Sequence, residues 1–179
     1  IQYSRYICKT NYTQMNYLET ERLILRPFAE QDAESLFIIL SDVEVNAFLP
    51  MFPLKDIEEA KTYLHEKHTA INSGKTLFYY AICLKDNNIP IGYIHISGGD
   101  SYDLGYGLRK EFWHKGICSE ACRVVIEKLK HIEIPYITAT HDVNNPRSGR
   151  VMQAIGMKYR YSYNELWQPK NLSLIHISE

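Results

Sequence analysis

Between Asp103 and Cys122 the chain reads DLGYGLRKEFWHKGICSEAC, and its residue types suit the binding of a phosphate. A glycine-bearing stretch, then Trp113-His114-Lys115-Gly116-Ile117-Cys118, then a helix opening near Ser119 would aim several free backbone N–H groups at one point. The helix N-terminus adds roughly half a positive charge, and Gly116, without a side chain, lets an anion approach the backbone. His114 and Lys115 would add charge at the rim. A single glycine is thin support, because Gly116 would serve equally in any tight strand-to-helix turn. Cys118, beside the same helix start, is a candidate for a thiol of lowered pKa, and Cys122 one helical turn later makes a redox pair a weaker reading. His65-Glu66-Lys67-His68 comes nearest to a metal motif. Its histidines stand at i and i+3 where a zincin helix needs i and i+4, so no metal is expected.

The elements that must carry this turn follow from period and punctuation. Residues 21–28 alternate polar and apolar types around a proline, as a strand ending in a turn does. Residues 29–40 read as a helix, with Ala33, Leu36, Phe37 and Leu40 on one face. Pro50 and Pro53 break the chain, and a second helix is predicted over 56–72, closed by Ser73-Gly74. Residues 77–84 and 91–97 form a hairpin around Lys85-Asp86-Asn87-Asn88, and Gly98-Gly99-Asp100 leads into a third antiparallel strand over 102–108. A helix over 119–131, a strand over 136–140, a helix over 146–155 begun by proline, and strands over 157–163 and 172–177 complete the order. A mixed sheet flanked by helices is predicted.

At 179 residues the chain is long enough for one domain, and its patterned part begins only after Met15. The reading is an extension over 1–14 and a single domain over 15–179. Hydrophobic residues make up 45% and charged residues 23%, and no apolar run approaches the ~18 residues that span a bilayer. With no secretory signal over 1–14, a soluble, cytoplasmic protein without a membrane partner is expected. A net charge of -1 argues against nucleic acid. The four cysteines show no CxxC spacing, which favours reduced thiols.

The phosphate-type turn resembles motif A of the GNAT acetyltransferase superfamily, Q/R-x-x-G-x-G/A, with Trp113, Gly116 and Cys118 at its named positions. Trp113 is typical of the RimJ/RimL-like branch, which often reads WGKGYATEA where this chain has WHKGICSEA. Leu18 to Pro27 (LETERLILRP) resembles the opening signature of that branch, ETERLxLRP. Asn144 to Met157 resembles NxxSxRVxxxxG(F/M), and the three segments stand in the family's order.

The resemblance implies an α/β (α+β) GNAT fold: a central mixed, mostly antiparallel sheet of about six to seven strands flanked by about four helices, splayed between the fourth and fifth strands. Acetyl-CoA is the implied co-substrate, its pantetheine lying in the splay beside Gly105 and Gly107. Cofactor contacts are expected from Gly107, Leu108, Arg109, Trp113, His114, Lys115, Gly116, Ile117, Cys118, Ser119, Asn145 and Ser148. A backbone N–H at 107–109 would polarise the acetyl carbonyl, and Ser148 would meet the departing thiolate. The acceptor is a primary amine, of a protein N-terminus or a small molecule, in a monomer or homodimer. Because a protonated amine is no nucleophile, a base is required. Asp103 and His141 are the first candidates, with Asp142 and His95 behind them, and Phe48, Phe52, Tyr79 and Tyr80 are candidates for an acceptor pocket. Asn145-Pro146 is also a good helix start, and the competing function is a catalytically silent acyl-CoA-binding module of the same fold.

Overall fold

Five strands follow one another as an antiparallel meander: β1 (Leu18–Glu19), β2 (Leu23–Pro27), β3 (Thr76–Leu84), β4 (Pro90–Ser97) and β5 (Leu104–Leu108), paired in that order. The computed structural model describes residues 17–132, 134–170, 172, 173 and 176–178. The expected extension over 1–14 and Cys8 lie outside the described residues.

The sheet is covered on both faces, which is why β3 reads as a continuous apolar run rather than an alternation. On one face Leu25, Tyr80, Ile82, Ile94, Ile96 and Leu108 meet Ile117, Ala121, Cys122, Val125 and Leu129 of α4 (Ile117–Leu129). On the other, Tyr79, Ala81, Cys83 and Tyr93 meet Leu36, Ile39 and Leu40 of α1 (Ala33–Ser41) and Leu64 of α3 (Ile57–Asn72). Asp56 caps α3 by accepting the Glu59 N–H at 2.9 Å, and Gly74, at φ +75°, ends it as expected.

The first helix differs from the single run predicted over 29–40. Residues Glu30–Asp32 form a separate 3₁₀ turn, because the Asp32 carboxylate turns back to accept the Ala29 N–H at 2.8 Å and the Arg26 guanidinium at 2.6 and 3.0 Å. Both side chains of this ion pair are buried. A four-residue helix, α2 (Val43–Asn46), has no counterpart in the sequence reading; Asp42 caps it through the Glu44 and Val45 N–H groups.

The second half of the chain adds β6 (Ala139–His141), α5 (Pro146–Ala154), β7 (Tyr159–Ser162) and three short strands, β8 (Leu166–Trp167), β9 (Leu172–Ser173) and β10 (His176–Ser178). The run expected as one strand over 172–177 is divided: β9 pairs with β8, and β10 lies between β6 and β7. The three-stranded sheet touches the five-stranded one through a parallel bridge, Asp103 to Thr138, with the Leu104 N–H donating to the Thr138 carbonyl at 2.7 Å. Beyond that bridge β5 and β6 part, which is the splay expected between the fourth and fifth predicted strands. Among the described residues no helix is long and apolar enough to cross a membrane.

Candidate active site

The parting of β5 from β6 leaves half of the backbone groups of β5 turned to an open gap. Strand groups alternate in direction, so two bonds fix the pattern: Leu104 N–H points to β6, and Arg109 N–H is spent on the Ile91 carbonyl at 2.9 Å. The N–H groups of Tyr106 and Leu108 therefore face the gap, and those of Gly107 and Arg109 face β4. Of the three residues over 107–109, Leu108 is the one whose N–H faces the gap. Its own carbonyl is taken by the Trp113 indole N–H at 2.7 Å.

Gly105 and Gly107 serve the sheet itself, and Gly107 also lines the cleft beside which a ligand approach is expected. A Cβ at Gly105 would lie 2.1 Å from His95 Nε2, and one at Gly107 would lie 2.5 Å from the Tyr93 ring. These are the cross-strand partners, His95 to Gly105 and Tyr93 to Gly107, whose rings lie over the glycines. Tyr106, between them, sends its side chain to the opposite face, toward α4 and α5.

At the end of β5 the chain passes through a 3₁₀ turn, Lys110–Phe112, into the phosphate-type turn. Gly116 is the N-cap of α4 at φ +74°, so the helix opens at Ile117, two residues before the predicted start. A Cβ at Gly116 would meet nothing closer than Arg22 Nη2 at 3.8 Å. The left-handed backbone, not crowding, is what asks for glycine there. His114 is also left-handed, at φ +61°, where the branch signature carries glycine. Glu120 N–H bonds the Gly116 carbonyl at 3.0 Å, and the N–H groups of Ile117, Cys118 and Ser119 precede the first intrahelical bond. No side chain caps them.

Two N-terminal residues brace this turn. Arg22 Nη2 donates to the Lys115 carbonyl at 3.1 Å and pairs with Glu120 at 2.6 Å. Glu120 also accepts the Thr20 hydroxyl and the Arg22 N–H. Burial raises the Glu120 carboxyl, and the Thr20 and Arg22 hydrogen bonds outweigh it, holding the group below its ordinary range.

A cleft of about 670 Å³ runs from this turn along the gap to the start of α5. Every residue expected to bind cofactor lines it except Arg109, whose guanidinium pairs with Glu111 at 2.6 Å, and Lys115, whose ammonium lies 5.4 Å from the Phe112 ring centre. Residues the sequence did not single out also line it: Tyr106, Glu44 and Val45 of α2, and Arg147 and Arg150 of α5. Arg147 lies 4.8 Å from the centre of the Trp113 ring across the cleft. Of the residues expected at an acceptor pocket, Phe48 lines the cleft, Tyr79 and Tyr80 are buried in the two cores, and Phe52 is exposed.

At the α5 end, Asn145 Oδ1 accepts the Ser148 N–H at 3.4 Å, so the capping role is met in the same place as the cleft wall. Tyr106 Oη donates to the Ser148 carbonyl at 2.9 Å and lies 3.0 Å from Ser148 Oγ. The base candidates stand off the cleft wall. Asp103 is at the bridged end of the gap, where burial pushes its carboxyl up to about 7 against the hydrogen bonds from Thr140. His141 Nδ1 lies 2.8 Å from the Asp142 carbonyl, and its Nε2 sits against Gly149. Burial, with the Lys67 charge behind it, lowers His95 to about 4.

The thiol readings gain no support. Burial pushes Cys118 up to about 12 and Cys122 well above its ordinary value, the reverse of an activated nucleophile or a poised redox pair.

Residues 22–158, most of the chain, match the acetyltransferase (GNAT) domain family. An N-acetyltransferase of Bacillus subtilis, YnaD, is 28% identical over 146 residues, covering 79% of this chain and 82% of that protein. Among solved structures, the microcin C7 self-immunity acetyltransferase MccE, in complex with acetyl-CoA and AMP, superposes with a TM-score of 0.77 at 18% identity over 89% of this chain and 92% of that one. A Salmonella typhimurium acetyltransferase that modifies the N-terminal serine of ribosomal protein L7/L12 gives 0.76 at 15% identity, covering 89% of this chain and 94% of that one. At these identities the structural likeness is one of fold.

Proposed function

The chain belongs to the acetyltransferase (GNAT) domain family and is an acetyltransferase, and on that premise we propose that it moves the acetyl group of acetyl-CoA to a primary amine by direct attack in a ternary complex. The observation that carries the reading is the continuity of one cleft: uncapped helix N–H groups at one end, a free strand edge along it, and a serine hydroxyl at the other. The donor set fits the proposed co-substrate. Backbone N–H groups of Ile117, Cys118 and Ser119 take the pyrophosphate, with Arg147 and Arg150 supplying positive charge around it. The free backbone groups of Tyr106 bond the pantetheine amides as an added strand would.

Acetyl-CoA supplies an activated acyl group and a thiolate as leaving group. Leu108 N–H polarises the carbonyl under attack, and Ser148 Oγ–H donates a proton to the departing thiolate. Asp103, half-ionised near neutral pH, takes the amine's proton through water, with His141 as the second candidate. The acceptor enters past α2 and Phe48. One structure above modifies an N-terminal serine and another serves microcin C7 self-immunity, and we assign this chain a primary amine of a protein N-terminus or of a small molecule. Monomer and homodimer are both compatible with this cleft, and a cytoplasmic setting would supply the acetyl-CoA. Thiol release from acetyl-CoA, followed with peptides of free N-terminus, polyamines and aminoglycosides, tests the reading. Turnover with at least one amine is expected, and tight binding without turnover across all of them would contradict it.

A further inference from the structure

Tyr106 is one of the cleft residues that no sequence motif singled out, and it joins β5 to α5. It stands on β5 between two glycines, and its ring crosses to the face of α4 and α5. Its oxygen is 2.9 Å from the Ser148 carbonyl oxygen and 3.0 Å from Ser148 Oγ. A carbonyl only accepts, so the single phenol proton goes to it, and the phenol oxygen is left to accept the Ser148 hydroxyl proton. This fixes where the serine hydroxyl points before any substrate arrives. The groups that face Tyr106 are Cys118 and Cys122 from α4, Asp103 from its own strand and Ser148 from α5. Burial keeps both thiols and the phenol protonated, which leaves Asp103 as the member of this set that titrates near neutral pH.

We infer that Tyr106 is a positioning residue that acts through Ser148, holding its hydroxyl at the head of the cleft and backing it as the thiolate departs. The inference rests on the reading of Ser148 given above. In the transfer, the N–C bond forms, the C–S bond breaks and its electron pair goes to sulfur, while the amine's proton leaves to the base. The Ser148 proton then turns to sulfur. The phenol proton, within reach of Ser148 Oγ, turns from the carbonyl to the serine oxygen, so that two hydroxyls in series meet the charge.

The ionisation of bound CoA tests this without any acceptor. CoA carrying 13C at the methylene beside sulfur is bound to the protein, and its thiol is titrated by the chemical shift of that carbon. Both Ser148→Ala and Tyr106→Phe raise the thiol pKa, and the double variant matches Ser148→Ala alone, while the CoA affinity of Tyr106→Phe stays within about two-fold of the wild type. A residue that merely stiffened the gap would change affinity and leave the thiol unmoved. Tyr106→Phe without effect, or with an effect that adds in full to that of Ser148→Ala, overturns the inference. An unchanged thiol pKa in Ser148→Ala overturns the reading of Ser148 itself. Ser148→Thr, which keeps a hydroxyl, retains the wild-type value if the hydroxyl and not the fold is responsible.

Discussion

Arg22 Nη2 lies 2.6 Å from the Glu120 carboxylate and 3.1 Å from the Lys115 carbonyl oxygen, so one guanidinium from β1–β2 holds both sides of the turn that opens α4. The opening signature of the chain and its phosphate turn are thus parts of one structure. Arg22 is about half exposed, which limits the pair to about 1 kcal/mol, or about five-fold in a binding constant. Arg22→Met is expected to weaken acetyl-CoA by about that factor in a calorimetric titration, with little change in melting temperature. Unchanged affinity would mean that the turn holds its shape unaided. The Glu120 carboxyl is depressed in the fold, so its contribution is present above the unfolded-state pKa and is lost as pH falls through the folded one.

The Arg26–Asp32 pair is of another kind, because both side chains are buried and Arg26 also donates to the Asn88 side chain and carbonyl. Asp32→Ala leaves a buried guanidinium without its counter-charge, and a loss of about 3–5 kcal/mol is expected from urea unfolding. Glu58→Ala, which removes the exposed partner of Lys61, serves as the control and should change stability by less than about 1 kcal/mol. A small loss in the first variant would show that water reaches the site.

His114 occupies a left-handed backbone position that penalises a Cβ by roughly 1–2 kcal/mol. His114→Gly removes the penalty but adds freedom to the unfolded chain, so a gain of up to about 1 kcal/mol in thermal unfolding is expected. Destabilisation on this substitution would mean that the imidazole itself holds the turn.

Asp103 offers a pH test with a definite sign. Its carboxyl is raised to about 7 in the fold from an ordinary value of 3.8, so the native state holds the proton more tightly than the unfolded chain. Stability from this group is complete below the unfolded value and is lost as pH rises through about 7. Asp103→Asn should flatten that decline in urea midpoints measured across the range. Under the role proposed for it, the same substitution removes a rise in kcat/KM with pH centred near 7. A retained rise would move the base elsewhere, with His141 the next residue to substitute.

The long elements were legible because their period was strong. β3, β4, α3 and α5 lie within a residue or two of where spacing and caps put them. What escaped depends on pairing across the fold. α2 has four residues, too few to show a period, yet it forms a wall of the cleft. The start of α4 was displaced because Gly116 caps it by its left-handed backbone, which residue type alone does not reveal. Only the register shows that the glycines of β5 also make room for the His95 and Tyr93 rings across the strand pair. Tyr106 was passed over for the same reason. Its meeting with Ser148, forty-two positions away, is a product of the splay.

Calorimetric titration of acetyl-CoA into the wild-type chain and into Gly116→Val is the most direct test of the account. A β-branched residue is strained at φ +74° and would disturb the N–H groups that begin α4. Saturable binding is predicted for the wild type, weakened by tenfold or more, about 1.4 kcal/mol, in the variant, with the far-ultraviolet circular dichroism of the two unchanged. Absence of binding to the wild type, or equal affinity in both proteins, would contradict the placement of the pyrophosphate on this turn.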